Sequence, residues 1–404
     1  MKEGWKYMKL GEISESIKDG DWIEKKDQSL SGFRLIQTGN IGVGLFKNKA
    51  ESARYISEET FSRLHCEEVF EGDILISRLP DPVGRACIVP YLDTRNITAV
   101  DCSIVKLNSK IINSDYFLLY TQSNKYFNQI SSLCTGSTRQ RITRKKLTEL
   151  QIPVPPLSDQ QRIVSYLDSE FAKIEALKAN AEKQLQAAKD LFQAALKELL
   201  TPKEGWVEKK LGEIGNICGR IGFRGYTTKD MVSGPNEGAI TLSPSNIQDG
   251  AMDYTKCQYI SWYKYNESPE IMVQNGDVLI VKTGSSYGKS AIVENLPHKA
   301  TINPQSVVIK KIRINNRLFA YLIRTPWVQN DFDNFVAGTA IPTFSQANLS
   351  KVLLTFPQDL NEQQRIADRL DALSANVKAL QTNYTETITL CNDLKQALLK
   401  KVFE

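Results

Sequence analysis

From Val164 onward, apolar residues return at alternating steps of three and four: Val164, Leu167, Phe171, Ile174, Ala181, Leu185, Ala188, Phe192, Ala195 and Leu199, with Lys178 as the polar member. That spacing is the heptad seam of a helix packed lengthwise against another helix. The run follows Ile152-Pro153-Val154-Pro155-Pro156-Leu157, where successive prolines exclude helix and require extended chain, and it stops at Thr201-Pro202. Over residues 158–200 the predicted helix would be roughly 64 Å long at about 1.5 Å per residue. A second stripe, Ile366, Leu370, Leu373, Val377, Leu380, Tyr384, Cys391, Leu394 and Leu398, predicts a matching helix. Ser158 before Gln161, and Asn361 before Gln364, each place a capping side chain three residues ahead of one that reaches back to it, which predicts both helix starts. The first seam is rich in Ala and the second is bulkier, as suits close packing of one on the other. Long apolar stripes need a partner. A chain with two of them predicts an intramolecular antiparallel coiled coil, an approximate two-fold axis and a fixed separation between whatever the helices carry.

Elsewhere the apolar runs are short. Asp73-Ile74-Leu75-Ile76-Ser77, Ala86-Cys87-Ile88-Val89 and Val278-Leu279-Ile280-Val281, bounded by Gly, Pro and Asp, predict strands. Short helices are expected over Asp115 to Gln129 and Arg317 to Asn330. The class is α+β. The chain also repeats itself: residues 3–14 read EGWKYMKLGEIS and residues 204–215 read EGWVEKKLGEIG. Gly72-Asp73-Ile74-Leu75-Ile76 returns as Gly276-Asp277-Val278-Leu279-Ile280, and Gln160-Gln161-Arg162-Ile163 as Gln363-Gln364-Arg365-Ile366. A period of roughly 200 residues marks a duplicated domain and not a solenoid. The expected organisation is a mixed domain over 1–157, a helix over 158–202, a second mixed domain over 203–359 and a second helix over 360–404.

Charge changes this picture little. Lys plus Arg number 51 against 46 Asp plus Glu, a mild positive balance that permits a nucleic-acid partner. Seven cysteines without a CxxC pair, beside two histidines, argue against a zinc site and for reduced thiols. No signal-peptide core and no apolar run near 18 residues is present, so a soluble cytoplasmic protein without membrane contact is expected.

Gly284-Ser285-Ser286-Tyr287-Gly288-Lys289-Ser290 resembles a phosphate-binding loop but is one residue short of GxxxxGK(S/T). Its counterpart, Leu79-Pro80-Asp81-Pro82-Val83-Gly84-Arg85-Ala86, keeps only a Gly and a base. What both copies retain is a turn after a strand that could bring a cation and backbone N–H groups to a phosphate, or simply a hairpin turn with an exposed base. Asn303-Pro304-Gln305-Ser306 lacks the aromatic of an amino-methyltransferase motif and reads as a turn. No repeated triad or carboxylate cluster suggests catalysis, and Asp73 and Asp277 read as turn residues.

Side chains able to pair with base edges gather in three places. The first is Gln37, Thr38 and Asn40, against Ser243, Ser245 and Asn246. The second is Ser77, Arg78 and Arg85, against Lys282, Thr283, Ser285, Ser286, Tyr287 and Lys289. The third is Ser137, Thr138, Arg139, Gln140 and Arg141, against Thr339 and Thr343. Any one of these is also what a solvated loop looks like. Equivalent positions with divergent side chains in two copies point to recognition.

The twice-occurring W-x-x-x-x-L-G-E-I start, the G-D-(I/V)-L-I strand with its G-(R/K) turn, and the Gln-Gln-Arg-Ile helix start resemble the specificity subunit of type I restriction-modification systems over the whole chain. The resemblance implies two target recognition domains, each reading half of a bipartite double-stranded DNA site, joined by helices that set the gap and dock methyltransferase subunits. It implies two methyltransferase and two restriction subunits as partners, with S-adenosylmethionine, ATP and Mg on those partners and no cofactor or catalytic residue here. Pro80-Asp81-Pro82 departs from the Gly-rich loop of the family pattern, which puts contacts from that loop in doubt. A system whose partner fuses nuclease and methyltransferase in one chain, and a coiled-coil assembly protein without DNA, are the alternatives.

Overall fold

The computed structural model describes residues 4–136, 140–336 and 341–404. Two compact units divide the chain, and they do not follow chain order: Met1–Lys183 joins Tyr384–Glu404 in the first, and Gln184–Asn383 forms the second. Each unit therefore contains the far end of the other copy's helix.

The helices span Leu157–Leu200 and Leu360–Phe403, 44 residues each. Every member of the first seam is buried or half-buried. The second stripe needs correction, because Leu380 and Leu394 are 39% and 48% exposed. There the heptad register runs through Ser374, Gln381, Ile388 and Lys395, all half-buried, so the polar Ser374, Gln381 and Lys395 hold seam positions where apolar character alone picks the neighbouring Leu373, Leu380 and Leu394. The caps differ too. Ser158 already lies in the first turn, and the Pro156 carbonyl accepts from the Asp159 and Gln160 N–H groups at 2.9 and 3.0 Å. In the second helix the Asp359 carboxylate, not Asn361, caps by accepting from the Asn361 N–H at 3.0 Å.

Within the first unit the two helical segments run antiparallel. Lys178 donates to Asn392 at 3.3 Å, Lys395 pairs with Glu175, and the Lys395 ammonium stands 5.1 Å from the Phe171 ring centre. Leu399 and Phe403 then reach the domain core, where the Phe403 ring meets Tyr116 and Tyr120 edge-on at 5.5 and 5.3 Å. In the second unit Ala188, Phe192, Leu196, Leu199 and Leu200 enter the core with Leu370 and Val377.

The mixed domains repeat one plan. A two-stranded ribbon pairs Lys6–Lys9 with Gln151–Val154, and Trp206–Lys210 with Leu353–Pro357, so the duplicated Trp segment pins the strand that leads into each helix. A four-stranded antiparallel sheet orders Ser14–Asp19, Cys102–Leu107, Ile74–Ser77 and Ala86–Ile88; its counterpart orders Asn216–Gly219, Ser306–Lys310, Val278–Val281 and Ser290–Ile292. A five-stranded mixed sheet in each copy contains one parallel pair, Phe33–Ile36 with Asn96–Thr98 and Gly238–Leu242 with Ala300–Ile302. The short helices expected over 115–129 and 317–330 number two in each span: Ser114–Tyr120 and Asn124–Leu133, then Asn316–Ile323 and Pro326–Phe335. Ser123 recaps the chain by accepting from the Tyr126 N–H, and Pro326 does so by removing a donor at the first helical position.

The repeated Gln-Gln-Arg-Ile has a structural basis in its first Gln. Gln160 is fully buried; its carboxamide accepts from the Asn113 N–H at 2.7 Å and donates to the Ile111 and Pro155 carbonyls at 3.0 and 2.8 Å. Gln363 accepts from the Asn315 N–H and donates to the Pro357 carbonyl, both at 2.8 Å. One side chain thus ties each long helix to the start of a domain helix.

Candidate nucleic-acid interface

In the second copy, residues 282–289 form a loop between Val278–Val281 and Ser290–Ile292, closed by Val281 N–H to the Lys289 carbonyl at 2.8 Å and Gly288 N–H to the Val281 carbonyl at 2.9 Å. A strand follows instead of a helix, so the loop lacks the helix N-terminus that holds phosphate in a nucleotide-binding loop. Gly288 has φ +80°, and the Gln329 carboxamide donates to its carbonyl at 3.1 Å; Gly84, with φ +87°, receives the Tyr126 hydroxyl at 2.8 Å in the same way. The turn conformation needs glycine in both copies.

Described members of all three polar clusters of this copy, Thr343 standing for the third, meet at the loop. Gly284 N–H donates to the Pro342 carbonyl at 2.9 Å, Phe344 N–H to the Lys282 carbonyl at 3.1 Å, and the Thr283 and Thr343 hydroxyls share a hydrogen bond of 2.8 Å. Ser243, Ser245, Thr283, Ser285, Ser286 and Gln305 line one cleft. Ser243 and Ser245 bond to each other at 2.7 Å. Asn246 serves the turn itself. Only 3% exposed, it accepts from the Ser243 N–H and donates to the Asp253 and Lys256 carbonyls, fastening the turn that presents the two serines. The Tyr287 hydroxyl donates to Asp333 at 2.6 Å, which holds its pKa above the usual phenol value. Lys289 is exposed.

The first copy brings its clusters together by different means. Arg85, 8% exposed, donates to the Ile41 carbonyl at 2.7 Å and to the Leu79, Pro82 and Thr38 carbonyls at 2.9 Å each. It is a strut between clusters, with its donors committed. Arg78 bonds the Val100 carbonyl and pairs with Asp19 at 3.5 Å; burial lowers the pKa of both guanidiniums, which stay cationic. Ser77 is fully buried and donates to the Leu79 carbonyl at 3.0 Å. Asn40, like Asn246, fastens a turn, accepting from Gln37 N–H and donating to the Lys47 carbonyl. Gln37 and Thr38 remain along a cleft with Arg34, Lys49 and Arg54. Arg141 pairs with Asp101 at 2.9 Å, and Ile142 N–H reaches the Arg78 carbonyl at 3.3 Å, bringing Arg141 of the third cluster alongside. Gln140 is exposed; Ser137, Thr138, Arg139 and Thr339 lie outside the described residues.

Sequence reasoning passed over Gln305 because its motif reads as a turn. It is one: Asn303 accepts from the Gln305 N–H at 3.1 Å, and that turn aims Gln305 into the serine cleft. Lys49 and Arg54 were equally hidden, since neither lies in a duplicated motif and only the fold turns them onto the cleft of the first cluster. The repeated aspartates are turn residues, Asp73 accepting from Phe70 N–H and Asp277 from Gln274 N–H at 2.9 Å each.

The model of the type I restriction modification DNA specificity domain matches residues 2–187 and again 203–390. The chain belongs to this family. As a specificity chain it supplies DNA sequence recognition in a type I restriction-modification system. The EcoKI specificity subunit of Escherichia coli K12 is 23% identical, covering 100% of this chain and 89% of that relative; the MjaVIII specificity subunit of Methanocaldococcus jannaschii is 20% identical over 92% and 86%. Among solved structures, a chain from the complex assembly and conformational transition of the type I R-M system aligns with a TM-score of 0.78 at 19% identity, covering 100% of this chain and 98% of that one. The HsdS subunit of Thermoanaerobacter tengcongensis aligns with a TM-score of 0.58 at 20% identity over 100% and 97%. Both share the fold. Among the described residues no helix is long and apolar enough to cross a membrane.

Proposed function

We propose that each unit of this specificity chain reads one half of a bipartite duplex site through the rim where its three polar clusters meet, and that the chain itself carries no catalysis. The supporting observation is the convergence: described members of three sequence-distant clusters come to one rim in both copies, on matching scaffolds, with different side chains. Methyltransferase and restriction subunits, two of each, would dock on the chain and bring S-adenosylmethionine, ATP and Mg, in the cytoplasm where the DNA is. A separate nuclease and methyltransferase is the reading carried here; a fused partner would leave this chain's role the same.

Methylation mapping of a host genome tests the reading. Substituting Lys282 or Ser285 is expected to relax one half-site only, and substituting Gln140 or Arg141 the other, with about 1–3 kcal/mol lost at a base that loses a bidentate contact. A second-copy variant that shifts preference in both halves would refute the division of labour. Spacing is a separate readout. Inserting one heptad near Ala181 and another near Tyr384 should move the half-sites apart by about 10 Å, roughly three base pairs, with both half-sites unchanged. Unchanged spacing would show that the helices do not set it.

A further inference from the structure

Beside the reading loop of the second copy lies a cleft of about 490 Å³ lined by Gln248, Asp249, Gly250, Tyr287, Lys289 and Arg324, among others. Asp249 and Gly250, with φ +48° and +84°, form the two-residue turn of the hairpin Ile247–Gln248 to Ala251–Met252. The Arg324 guanidinium lies directly on Gly250, where any side chain would collide with it. Its Cζ stands 5.5 Å from the Phe192 ring centre and 6.0 Å from that of Tyr321. Among the described residues neither this guanidinium nor the Lys289 ammonium has a hydrogen bond or ion pair, while Asp249 is the carboxylate that shares the cleft. Two cations therefore face a groove holding one carboxylate. A guanidinium held against Gly250 beside two aromatic rings, with its N–H donors unspent, is prepared for an oxyanion.

The first copy shows what the same scaffold looks like without this feature. Gly44 takes the place of Gly250, and the side chain lying on it is the neutral Gln122. Arg85 takes the place of Lys289 and gives its donors to four carbonyls. The cationic pair belongs to the second copy.

We propose that Lys289 and Arg324 form a phosphodiester clamp that holds the DNA backbone at the second half-site, a contact for which the first copy has no counterpart at the equivalent positions. The proposal rests on the DNA-recognition reading above. A phosphate contact positions without reading sequence and releases counterions, which separates it from a base contact. Each neutralised phosphate contributes about −0.9 to the slope of log K against log salt on duplex DNA.

The test uses the full chain assembled with its methyltransferase subunits, a labelled 30-base-pair duplex of arbitrary sequence, and fluorescence anisotropy from low to moderate salt. Lys289→Gln and Arg324→Gln are each expected to reduce the slope by about one and to weaken arbitrary and target duplexes by the same factor. Arg324→Lys should keep most of the slope, and Gln122→Arg should increase it. Gln at the equivalent position of the first copy shows that the scaffold accepts it, and circular dichroism of each variant confirms folding. An unchanged slope in both Gln variants, or an altered preference at a single base, overturns the clamp while leaving DNA recognition intact. A wild-type complex with no salt-dependent binding overturns both. Inorganic phosphate separates the two sources of oxyanion: saturation of the cleft by micromolar phosphate without loss of duplex affinity would make it a free-anion site and refute the DNA assignment.

Discussion

Replacing Gln160 by leucine is expected to destabilise the first unit by about 3 kcal/mol, because leucine fills the space and leaves the Asn113 N–H and the Ile111 and Pro155 carbonyls without their partner. A buried polar group stripped of its partner loses its hydration without recovering a bond, whereas a surface Gln to Leu change would have little effect. Gln363→Leu orphans two groups, the Asn315 N–H and the Pro357 carbonyl, and should lower stability somewhat less. Gln160→Glu separates shape from chemistry: it can still accept from Asn113 but cannot donate to the two carbonyls, so it should fall with leucine and not with wild type. Urea unfolding of the three variants measures this. Values within about 0.5 kcal/mol of wild type would show that water replaces the carboxamide and that the duplicated motif has some other basis.

The same residue shows what the sequence revealed and what it withheld. Repetition exposed Gln160 and Gln363 as important, and proline spacing placed the helix start within one residue. Their role stayed hidden, because the partners at Ile111 and Asn113 are defined by tertiary approach and leave no local pattern. The first seam was legible because apolar residues occupy nearly all its positions; the second was not wholly so, because Gln381 and Lys395 hold core-facing places while Leu380 and Leu394 face outward. Candidate site residues divide along a similar line. Residue type placed Arg85, Asn40 and Asn246 among base readers, yet burial and internal hydrogen bonds make them the struts on which the loops stand. Hydrogen-bonding capacity can be read from a sequence; whether a fold has already used it depends on distances no sequence motif states.

Truncating Phe403 to alanine, at the end of the second repeat, is expected to destabilise the first unit by about 3–5 kcal/mol, the usual range for deleting a buried ring. Phe403 is 2% exposed and packs on Tyr116 and Tyr120 with Leu399 beside it, all within that unit. Leu200→Ala, at the end of the first repeat, should instead weaken the second unit by about 2–5 kcal/mol, because Leu200 belongs to the core of Leu318, Tyr321 and Leu322. Hydrogen exchange resolves the two: in Phe403→Ala the amides of Ile74–Ser77 and Cys102–Leu107 should lose protection while Val278–Val281 keeps it, and in Leu200→Ala the reverse. Loss of protection in the same repeat as the substitution would contradict the exchange of helix ends. The exchange also bears on a fragment ending near Thr201, which has an unburied seam and should pair with a second copy around a true two-fold axis. Such a dimer would have to seat Leu200 where Phe403 completes the first unit, leaving the volume of a ring partly empty beneath Tyr116 and Tyr120. Light scattering should therefore find a dimer that is weaker than the intact chain's own pairing, and Leu200→Phe in the fragment should tighten it. A fragment that stays monomeric with Phe at that position would mean that core complementarity, although present, does not decide the pairing.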